Sequence, residues 1–330
     1  TVQDEMAFFG VDTASKISEN IGVKRRHVAP PHLCTSDLCY FAAKALLDEA
    51  KWAKESVDVL IFLSQTPDYK LPASSCVLQN RLGLSTDCAA FDINMGCSGY
   101  IYGLWTAASL IASGGAKRIL LLVGDTSNKL VSEQDQSVAL LFGDAGTATL
   151  LERSSVTEEM TFVLGTDGAG ANNLIVPVGG FRSPSNESSR VRQKKKDGSI
   201  RSDEELVMNG AEIFAFTLKR VPQLIKAALK ESYWTIDDTD FFVFHQANKF
   251  MLDFLIKKMK LPACKVPNNL EKFGNSSSSS IPLLLTDSLS KKLCIDESRM
   301  ILAGFGVGYS WGAVALNIGP IIMPDVIVVQ

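Results

Sequence analysis

The sequence lacks the features of a membrane, secreted or nucleic-acid-binding protein. Its 330 residues hold no apolar run of the roughly 18 to 20 residues that a membrane helix needs, and the start TVQDEMAFFG does not resemble a signal peptide. Basic charge is not in excess, since the formal net charge is -3 and nucleic-acid binding needs a dominant basic face. We therefore expect a globular, cytoplasmic protein with no membrane span and no nucleic-acid partner.

Closely spaced cysteines and histidines are also scarce. The seven cysteines are odd in number and scattered, which disfavours disulfides, and only three histidines occur. Zinc needs ligands close together, and Cys34 with Cys39 is the single near pair, with His27 and His32 on the same segment. One such pair is weak evidence, so we expect no metal ion and no cofactor.

Apolar residues make up 46% of the chain, enough for an extensive core. They recur at three and four positions from Asp37 to about Lys54, which predicts a helix, and the β-branched run VDVLIFLS predicts a buried strand after it. The alternation continues through ASSCVLQNRLGL, CAAFDI, SGYIYGLWTAASLIASG and AKRILLLVGD. This rhythm of helices and buried strands predicts an α/β fold.

The pattern restarts near the middle of the chain. SVALLFGDAGTATLLE predicts a hairpin turning at residues 143–146, and a polar excursion over residues 182–203 precedes a long predicted helix from about Glu204 to Ser232. TDFFVFHQ then parallels VDVLIFLSQ, which predicts two duplicated α/β halves, residues 1–165 and 166–330. Because the sequence begins at Thr1 without methionine, we also expect preceding residues, with room for a first strand.

Cys97 occupies a setting that suits a reactive thiol. In FDINMGCSGYIYGL, an apolar strand meets Gly96 and Cys97, and a helix rich in small residues follows. The positive end of a helix stabilises a thiolate by roughly 0.3 to 1 kcal/mol, and Gly96 and Gly99 permit a tight turn. A buried structural cysteine fits the same pattern, so Cys97 alone does not decide between the two interpretations.

His245 and Asn275 are weak signals individually. His245 ends the strand TDFFVFHQ at the edge where α/β folds place their sites, but a lone histidine there is more often a core residue. Asn275, in EKFGNSSSSSIP, precedes a helix, where asparagine is more often a cap. Either residue supports a catalytic role only when it is considered together with the other and with Cys97.

Together the three residues suit a condensation that needs no carboxylate base. Cys97 would accept an acyl group, and loss of carbon dioxide from a malonyl-type partner would leave an enolate for His245 and Asn275 to stabilise. The glycine-rich stretch AGFGVGYSWG supplies backbone N–H groups. We predict that the N–H of Gly308 and that of Cys97 form the oxyanion hole for acyl transfer.

Five motifs carry a resemblance. GCSG, FHQAN, FGNSSSSSIP and GFGVGYSWG, with FGDAGTA near mid-chain, resemble those of the ketoacyl-acyl carrier protein synthase III family, in the family's order and over nearly the whole chain. The resemblance implies a homodimer with a five-layered αβαβα thiolase fold, built from two duplicated halves. It also implies that Cys97, His245 and Asn275 are catalytic, and that Leu71 and Phe305 line the acyl tunnel, with Leu71 reaching in from the other subunit.

The reaction implied is acyl transfer to Cys97 followed by decarboxylative condensation with malonyl-acyl carrier protein, in fatty acid, specialised lipid or polyketide biosynthesis. The residues that grip coenzyme A in the family's priming enzymes differ here, however: the usual tryptophan, arginine or asparagine is replaced by Lys16, Asn20, Gln136, Ala211 and Phe250. Stacked and bidentate guanidinium contacts are not replaced by these side chains. We therefore expect a carrier protein or another thioester, more than acetyl-CoA, to deliver the acyl group.

Five cations are candidates for docking an acyl carrier protein, which presents an acidic helix and phosphopantetheine. They are Lys16, Lys24, Arg25, Arg26 and Lys249. The alternative is that these side chains are merely solvated surface charges.

Other functions also have to be weighed. A cysteine hydrolase uses Cys, His and Asn in this chain order, so thioester hydrolysis is an alternative. Hydroxymethylglutaryl-CoA synthases need a glutamate where this chain reads Ser64-Gln65-Thr66-Pro67, which disfavours that branch. A catalytically silent partner subunit usually lacks the cysteine that this chain keeps.

Overall fold

A computed structural model of the chain describes residues 9–156 and 159–329. Its strands are β1 (Val59–Leu63), β2 (Ala89–Ile93), β3 (Arg118–Asp125), β4 (Ala145–Glu152), β5 (Met160–Thr166), β6 (Leu174–Ile175), β7 (Gln193–Lys194), β8 (Ile200–Arg201), β9 (Val207–Met208), β10 (Phe241–Phe244), β11 (Ser298–Gly306) and β12 (Ser310–Ile318). Its helices are α1 (Val11–Ile21), α2 (Thr35–Ala50), α3 (Ser74–Leu82), α4 (Gly99–Ala112), α5 (Gly210–Glu231), α6 (Lys249–Met259), α7 (Leu270–Phe273), α8 (Ser280–Leu284) and α9 (Ser290–Leu293). A π-helical turn, Leu285–Leu289, joins α8 to α9.

The longer strands form two four-stranded sheets with related topology. In the first sheet, of order β2-β1-β3-β4, β1 is parallel to β2 and β3, and β4 is antiparallel to β3. In the second, of order β10-β11-β12-β5, β10 is parallel to β11, and β12 is antiparallel to both of its neighbours. The run β1-β3-β4 thus matches β10-β11-β12, as the duplicated sequence pattern predicts.

Alternate residues of the central strands face opposite layers of helices. In β1, Val59, Ile61 and Leu63 face a middle layer made of α4 and the segment from α8 to α9, whereas Leu60 and Phe62 face α2 and α3. The second sheet also contacts the middle layer, and α5 and α6 cover its outer face. These five layers confirm the predicted αβαβα architecture.

Glycines let α4 approach the first sheet closely. A Cβ atom at Gly99 would lie 2.4 Å from Leu63, and one at Gly103 would lie 2.9 Å from Leu121. Leu63 and Leu121 are fully buried, and each such side chain stabilises the fold by roughly 1.5 to 3 kcal/mol. This packing fixes the N-terminal end of α4 beside the carboxyl ends of the parallel strands.

Some predicted elements need correction. The hairpin at residues 143–146 is wrong, because the residues before that turn form turns and β4 pairs with β3 instead. The long helix begins at Gly210 and not at Glu204, since β9 comes first. The boundary after residue 165 falls inside β5, which belongs to the second sheet. The two halves are better divided between β4 and β5.

Candidate active site

Cys97 lies in the turn between β2 and α4, and its side chain is only 7% exposed. The turn is tight, because the N–H of Gly99 donates to the carbonyl of Gly96 at 2.6 Å. The hydroxyls of Ser98 and Ser310 lie 2.6 Å apart. The turn that carries the thiol is thereby fixed to the hairpin of β11 and β12.

Two glycines of β11 make room for this turn. Gly306 has a φ of 153°, and a Cβ atom there would lie 2.8 Å from the Cys97 sulfur. A Cβ atom at Gly304 would lie 2.9 Å from the Cys97 carbonyl oxygen. The end of the strand therefore packs backbone against the cysteine, and any side chain at Gly306 would displace it.

Burial raises the pKa of Cys97 to about 11. Hydrogen bonds from the Val307 backbone and the Ser277 side chain lower this pKa, while the negative charge of Asp125 raises it further. The helix end was predicted to favour a thiolate, but burial has the larger effect here. The resting thiol therefore keeps its proton at neutral pH.

His245 follows β10 and is 1% exposed. Its backbone N–H donates to Ala303 of β11 at 2.8 Å, and its ring Nδ1 lies 2.7 Å from the Ser280 hydroxyl. The ring of Phe305 meets the imidazole edge-on, with 5.7 Å between ring centres. Burial lowers the pKa of His245 to about 4, although a hydrogen bond with the Ser277 backbone acts to raise it. The imidazole is consequently neutral at neutral pH.

Asn275 opens the serine-rich segment that leads into α8, and it is 5% exposed. Its Oδ1 accepts a hydrogen bond from the N–H of Ser277 at 2.9 Å, which identifies Nδ2 as the donor end of the amide. One Nδ2 hydrogen reaches the carbonyl of Ala247 at 3.3 Å. The backbone of Asn275 bonds to Leu141 and Gly143. These contacts fix the orientation of the amide and leave its second Nδ2 hydrogen to donate a hydrogen bond to a ligand.

Ser277 joins the three residues predicted from the sequence. Its N–H donates to Oδ1 of Asn275 at 2.9 Å, its side chain lies beside the Cys97 thiol, and its backbone lies beside the His245 ring. Its φ is 50°, in the left-handed region that L-residues other than Asn and Asp seldom adopt. The structure thus assembles Cys97, His245 and Asn275 around one residue, which nothing in the run of five serines had distinguished.

Sequence reasoning also missed Val307 and Asp125. The backbone N–H of Val307, and not that of Gly308, reaches the Cys97 thiol, whereas Gly308 packs against Ser310. Asp125 ends β3 and is 1% exposed beside the serine-rich segment. Its signal was available, because an acidic residue closes the apolar run RILLLVGD at the edge of the sheet where sites form.

The predicted docking cations differ in their surroundings. Four of the five predicted docking cations are exposed: Lys16, Lys24, Arg25 and Lys249. Lys24 pairs with Glu271 at 2.8 Å, and Lys249 pairs with Asp253 on the next turn of α6. Exposed ion pairs of this kind exchange partners at little cost, so both lysines remain able to meet a ligand.

Arg26 is half-buried and donates hydrogen bonds to the side chain of Asn128 and to the carbonyl of Phe142. Phe142 itself forms a bridge with Asn275. The contacts of Arg26 therefore support the loop behind Asn275, which is a different role from the predicted docking.

The five positions at which the sequence predicts a departure from the family's coenzyme A contacts are all exposed: Lys16, Asn20, Gln136, Ala211 and Phe250. Phe250 is 58% exposed and stacks on Phe214, with 5.3 Å between ring centres, while Phe254 meets Phe214 edge-on at 5.7 Å. We call these three rings the aromatic patch. An exposed apolar surface thus occupies α6 at the position where the family resemblance implies an arginine.

Leu71 lies at the tip of the loop between β1 and α3, and its side chain is 81% exposed. Tyr69 and Phe181 are 58% and 88% exposed, and the Lys70 ammonium lies over the Phe181 ring at 5.4 Å. Large apolar side chains grouped in this way are typical of a protein interface.

A groove of about 1020 Å³ runs along the outer edge of β4, with walls from α2 and the extended segment 319–329. Cys97, His245 and Asn275 do not line it. Within residues 9–156 and 159–329, that edge of β4 has no partner strand, whereas the matching edge of β12 pairs with β5. The groove is therefore a feature of the sheet edge, separate from the three clustered residues.

All seven cysteines are free, and Cys39 is fully buried in the core. In the part of the chain that the structure describes, no group of three or more His, Cys, Asp or Glu side chains is placed to hold a metal ion. No helix of that same part is long and apolar enough to cross a membrane.

Two family models match the chain. Residues 91–168 match the model described as 3-oxoacyl-[acyl-carrier-protein (ACP)] synthase III, and residues 229–318 match the model of its C-terminal part. The first range contains Cys97, and the second contains His245 and Asn275.

Similar proteins cover most of the chain. The beta-ketoacyl-[acyl-carrier-protein] synthase III of Desulfitobacterium hafniense is 36% identical over 311 residues, which cover 93% of this chain and 90% of that protein. The crystal structure of a 3-oxoacyl-(acyl-carrier protein) synthase from Burkholderia xenovorans has a TM-score of 0.93 at 45% identity and covers 98% of this chain and 91% of that one. A priming beta-ketosynthase from the R1128 polyketide pathway has a TM-score of 0.82 at 25% identity, covering 96% and 91%.

Proposed function

Because the chain belongs to the 3-oxoacyl-[acyl-carrier-protein] synthase III family of condensing acyltransferases, we propose that Cys97, His245 and Asn275 form its active site. The observation that carries this proposal is that all three side chains are buried along one segment, residues 277–280. In that segment the N–H of Ser277 donates to Asn275, the Ser280 hydroxyl lies 2.7 Å from the His245 ring, and the Ser277 side chain lies beside the Cys97 thiol. The overall reaction joins an acyl thioester to malonyl-acyl carrier protein by a carbon–carbon bond, in fatty acid or polyketide synthesis.

Acyl transfer comes first. The Cys97 sulfur attacks the carbonyl of the acyl donor, a new carbon–sulfur bond forms, and the donor's carbon–sulfur bond breaks. Because the pKa of the thiol is about 11, its proton leaves during the step and ends on the departing thiol. The backbone N–H groups of Cys97 and Val307 stabilise the tetrahedral oxyanion, and Val307 replaces Gly308 as the proposed second donor.

Decarboxylation follows on the acylated enzyme. The bond between the malonyl carboxylate and its α-carbon breaks, carbon dioxide leaves, and the electron pair forms an enolate. Nδ1 of His245 lies 2.7 Å from the Ser280 hydroxyl. We assign the hydroxyl as the donor in this contact, which leaves the proton on Nε2 to be donated to the enolate oxygen beside Nδ2 of Asn275. Loss of carbon dioxide replaces proton abstraction, and no base is required.

Condensation completes the cycle. The enolate α-carbon attacks the acyl carbonyl on Cys97, the thioester bond breaks, and the cysteine takes up a proton. The product stays attached to the carrier that delivered the malonyl group. Both donors are neutral and buried, so their hydrogen bonds act in a medium of low dielectric constant, where they stabilise charge more than in water.

The acyl donor is proposed to arrive chiefly on a carrier protein or another thioester in place of coenzyme A. This rests on the aromatic patch and on the other exposed departures from the family's coenzyme A contacts. The docking residues proposed are Lys16, Lys24, Arg25 and Lys249. The cytoplasmic location predicted from the sequence stays a prediction.

Intact mass spectrometry tests this assignment. The enzyme is incubated with acyl-CoA and acyl-carrier-protein donors of several chain lengths, and the mass added to Cys97 identifies the donor. Adducts should form at lower donor concentrations with carrier-bound donors than with acyl-CoA. Steady-state efficiency with acetyl-CoA equal to that of a housekeeping priming enzyme would contradict the donor assignment.

The chain is also proposed to act as a homodimer in which Leu71 enters the acyl tunnel of the partner, near Phe305. Leu71, Tyr69 and Phe181 are largely exposed in the single chain, and a second copy would bury them. Phe305 is fully buried against His245, which supports its proposed place at the catalytic end of the tunnel.

Thioester hydrolysis is the rival function. In Cys-His-Asn hydrolases, the asparagine orients the histidine. Here Nδ1 of His245 meets Ser280, and the amide oxygen of Asn275 meets Ser277, so the two side chains are held separately. This arrangement favours two independent hydrogen-bond donors. Product analysis after incubation with acyl and malonyl thioesters separates the two functions: a ketoacyl product supports condensation, and free acid alone supports hydrolysis.

A further inference from the structure

Asp125 is a buried carboxylate that the mechanism above does not use. It ends β3 in the first sheet, and its Oδ1 accepts hydrogen bonds from the N–H of Gln65 at 2.7 Å and the hydroxyl of Ser64 at 3.1 Å. Its Oδ2 accepts from the hydroxyl of Ser278 at 2.6 Å and from the N–H of the same residue at 3.3 Å. One carboxylate therefore ties the loop after β1 to the serine-rich segment of the second half.

The residue that Asp125 holds is next to the centre of the site. Ser278 follows Ser277, whose left-handed φ of 50° persists only where neighbouring contacts fix the backbone. The double hydrogen bond from Ser278 to Asp125 is such a contact. Through this short path, Asp125 reaches Asn275.

The donors around Asp125 are hydroxyl and backbone N–H groups, and its charge acts against thiolate formation on Cys97. A neutral residue would remove that charge. Only a carboxylate, however, offers two oxygens that accept hydrogen bonds on both sides, because an asparagine would turn an NH₂ group towards existing donors. Burial raises the pKa of Asp125, while the hydrogen bonds from Ser278 and Gln65 lower it by stabilising the carboxylate. The need for acceptors at both oxygens explains a carboxylic acid side chain at this position.

The backbone turn that carries the thiol is held by contacts other than those of Asp125. It is fixed by the hydroxyl pair of Ser98 and Ser310 and by the close approach of Gly306. His245 and Asn275, in contrast, depend on the segment from Ser277 to Ser280. Disturbing Asp125 should therefore affect the enolate donors more than the nucleophile.

We propose that Asp125 is a positioning residue for the decarboxylation step, which it serves by anchoring the segment that orients His245 and Asn275 from the opposite half of the molecule. This inference rests on the proposed roles of those two residues. Asp125 touches neither substrate nor reacting atoms in this role. Loss of this role should slow decarboxylation much more than acyl transfer. A general loss of stability would instead lower both rates.

The test compares two rates in Asp125→Asn and the parent enzyme. Acylation of Cys97 is followed by intact mass, and carbon dioxide release is followed with malonyl-acyl carrier protein as substrate. We expect acylation within about threefold of the parent and carbon dioxide release lowered about 100-fold, as for small misplacements of catalytic groups. Asp92→Asn is the matched control, since Asp92 accepts from the N–H groups of Ser74 and Ser75, each at 2.8 Å, away from the serine-rich segment. It should change neither rate.

Ser278→Ala provides a second variant, needed if Asp125→Asn does not fold. It removes the 2.6 Å hydroxyl contact but keeps the backbone N–H, so carbon dioxide release should fall by a smaller factor, about tenfold. Equal losses in both half-reactions, or no loss in a folded variant, would overturn the role of Asp125. Failure of the parent enzyme itself to release carbon dioxide would instead overturn the proposed function.

Discussion

Nδ1 of His245 lies 2.7 Å from the hydroxyl of Ser280, on the first turn of α8. The imidazole is therefore oriented by a neutral hydroxyl and not by a carboxylate. A carboxylate partner would favour the imidazolium form, whereas a hydroxyl leaves the ring neutral. A neutral ring with its proton on Nε2 is suited to donate a hydrogen bond to an enolate while taking no proton itself.

The buried imidazole predicts a specific pH dependence of stability. Burial lowers the pKa of His245 from its ordinary 6.5 to about 4, so below pH 6.5 the unfolded chain binds a proton that the folded chain refuses. Stability contributed by the neutral ring is thus lost as the pH falls from 6.5 towards 4. Between pH 7 and pH 5, the free energy of unfolding of the parent should drop by about 2 kcal/mol more than that of His245→Gln, measured by urea denaturation. Equal drops would show that the histidine is solvated.

The thiol should alkylate as a high-pKa cysteine. With a pKa of about 11, the thiolate fraction of Cys97 rises about tenfold per pH unit between pH 7 and pH 10. The rate of iodoacetamide modification at Cys97, read by peptide mass spectrometry, should rise with pH across that range without levelling off. Free N-acetylcysteine is the reference and should level off near pH 9. A plateau for Cys97 below pH 8 would indicate a resting thiolate.

Cys97→Ser should abolish the acyl-enzyme. The serine hydroxyl keeps the size of the nucleophile but has no nearby base to activate it, since the neutral His245 is committed to hydrogen-bond donation. Intact mass after incubation with acyl donors should show no adduct. Acyl transfer that persists in this variant would overturn the assignment of the nucleophile.

An arginine in place of Phe250 on α6, as the resemblance implies, should improve the use of coenzyme A. Phe250 is 58% exposed, so an arginine there can be accommodated, and a guanidinium that reaches a phosphate forms a charge-assisted contact. We expect Phe250→Arg to raise kcat/KM for acetyl-CoA roughly three- to tenfold, equivalent to about 1 kcal/mol. Tyr233→Arg is the control, because Tyr233 is 94% exposed beyond the far end of α5. An equal rise in both variants would mean that net charge alone is responsible.

The exposed loop tip predicts an effect on assembly. Leu71→Arg should lower the dimer fraction in analytical ultracentrifugation, because it places a charge where an apolar side chain is proposed to be buried by a second copy. Condensation activity should fall with it, since the proposed tunnel loses a wall. Ile295→Arg changes another apolar side chain, 72% exposed on a different surface, and should leave the sedimentation unchanged. A Leu71→Arg variant that sediments like the parent would remove this residue from the interface.

Local patterns predicted much of the fold, whereas Cys97, His245 and Asn275 were predicted as a group only from the five motifs taken together. Cys97 is recognisable because strand, glycine, cysteine and helix follow one another directly, and β1 is recognisable from its continuous apolar run. The run before β4 misled, because Val138, Leu141 and Phe142 are buried in a small separate cluster in turns and do not enter a sheet. Apolar periodicity alone does not distinguish a buried strand from buried residues in turns.

The supports of the site were harder to predict, since they depend on contacts between distant parts of the chain. Asp125 and Ser278 are 153 residues apart, and they meet only once the two halves have packed together. Among five consecutive serines, the one that contacts Cys97, His245 and Asn275 is set by a backbone conformation that the side chain does not encode. The sequence motifs therefore indicated the reactive groups, but they did not indicate Asp125, Ser277 and Ser278, which orient those groups.

The contact between Gly306 and Cys97 also limits how the enzyme can be redesigned. A methyl group at Gly306 would lie 2.8 Å from the sulfur of Cys97. This side of the active site therefore cannot be changed by substitution at Gly306 without moving the nucleophile. Libraries aimed at a longer or bulkier acyl group should leave Gly306 constant. Diversity belongs at Leu71, where a different side chain meets no such obstacle within its own chain.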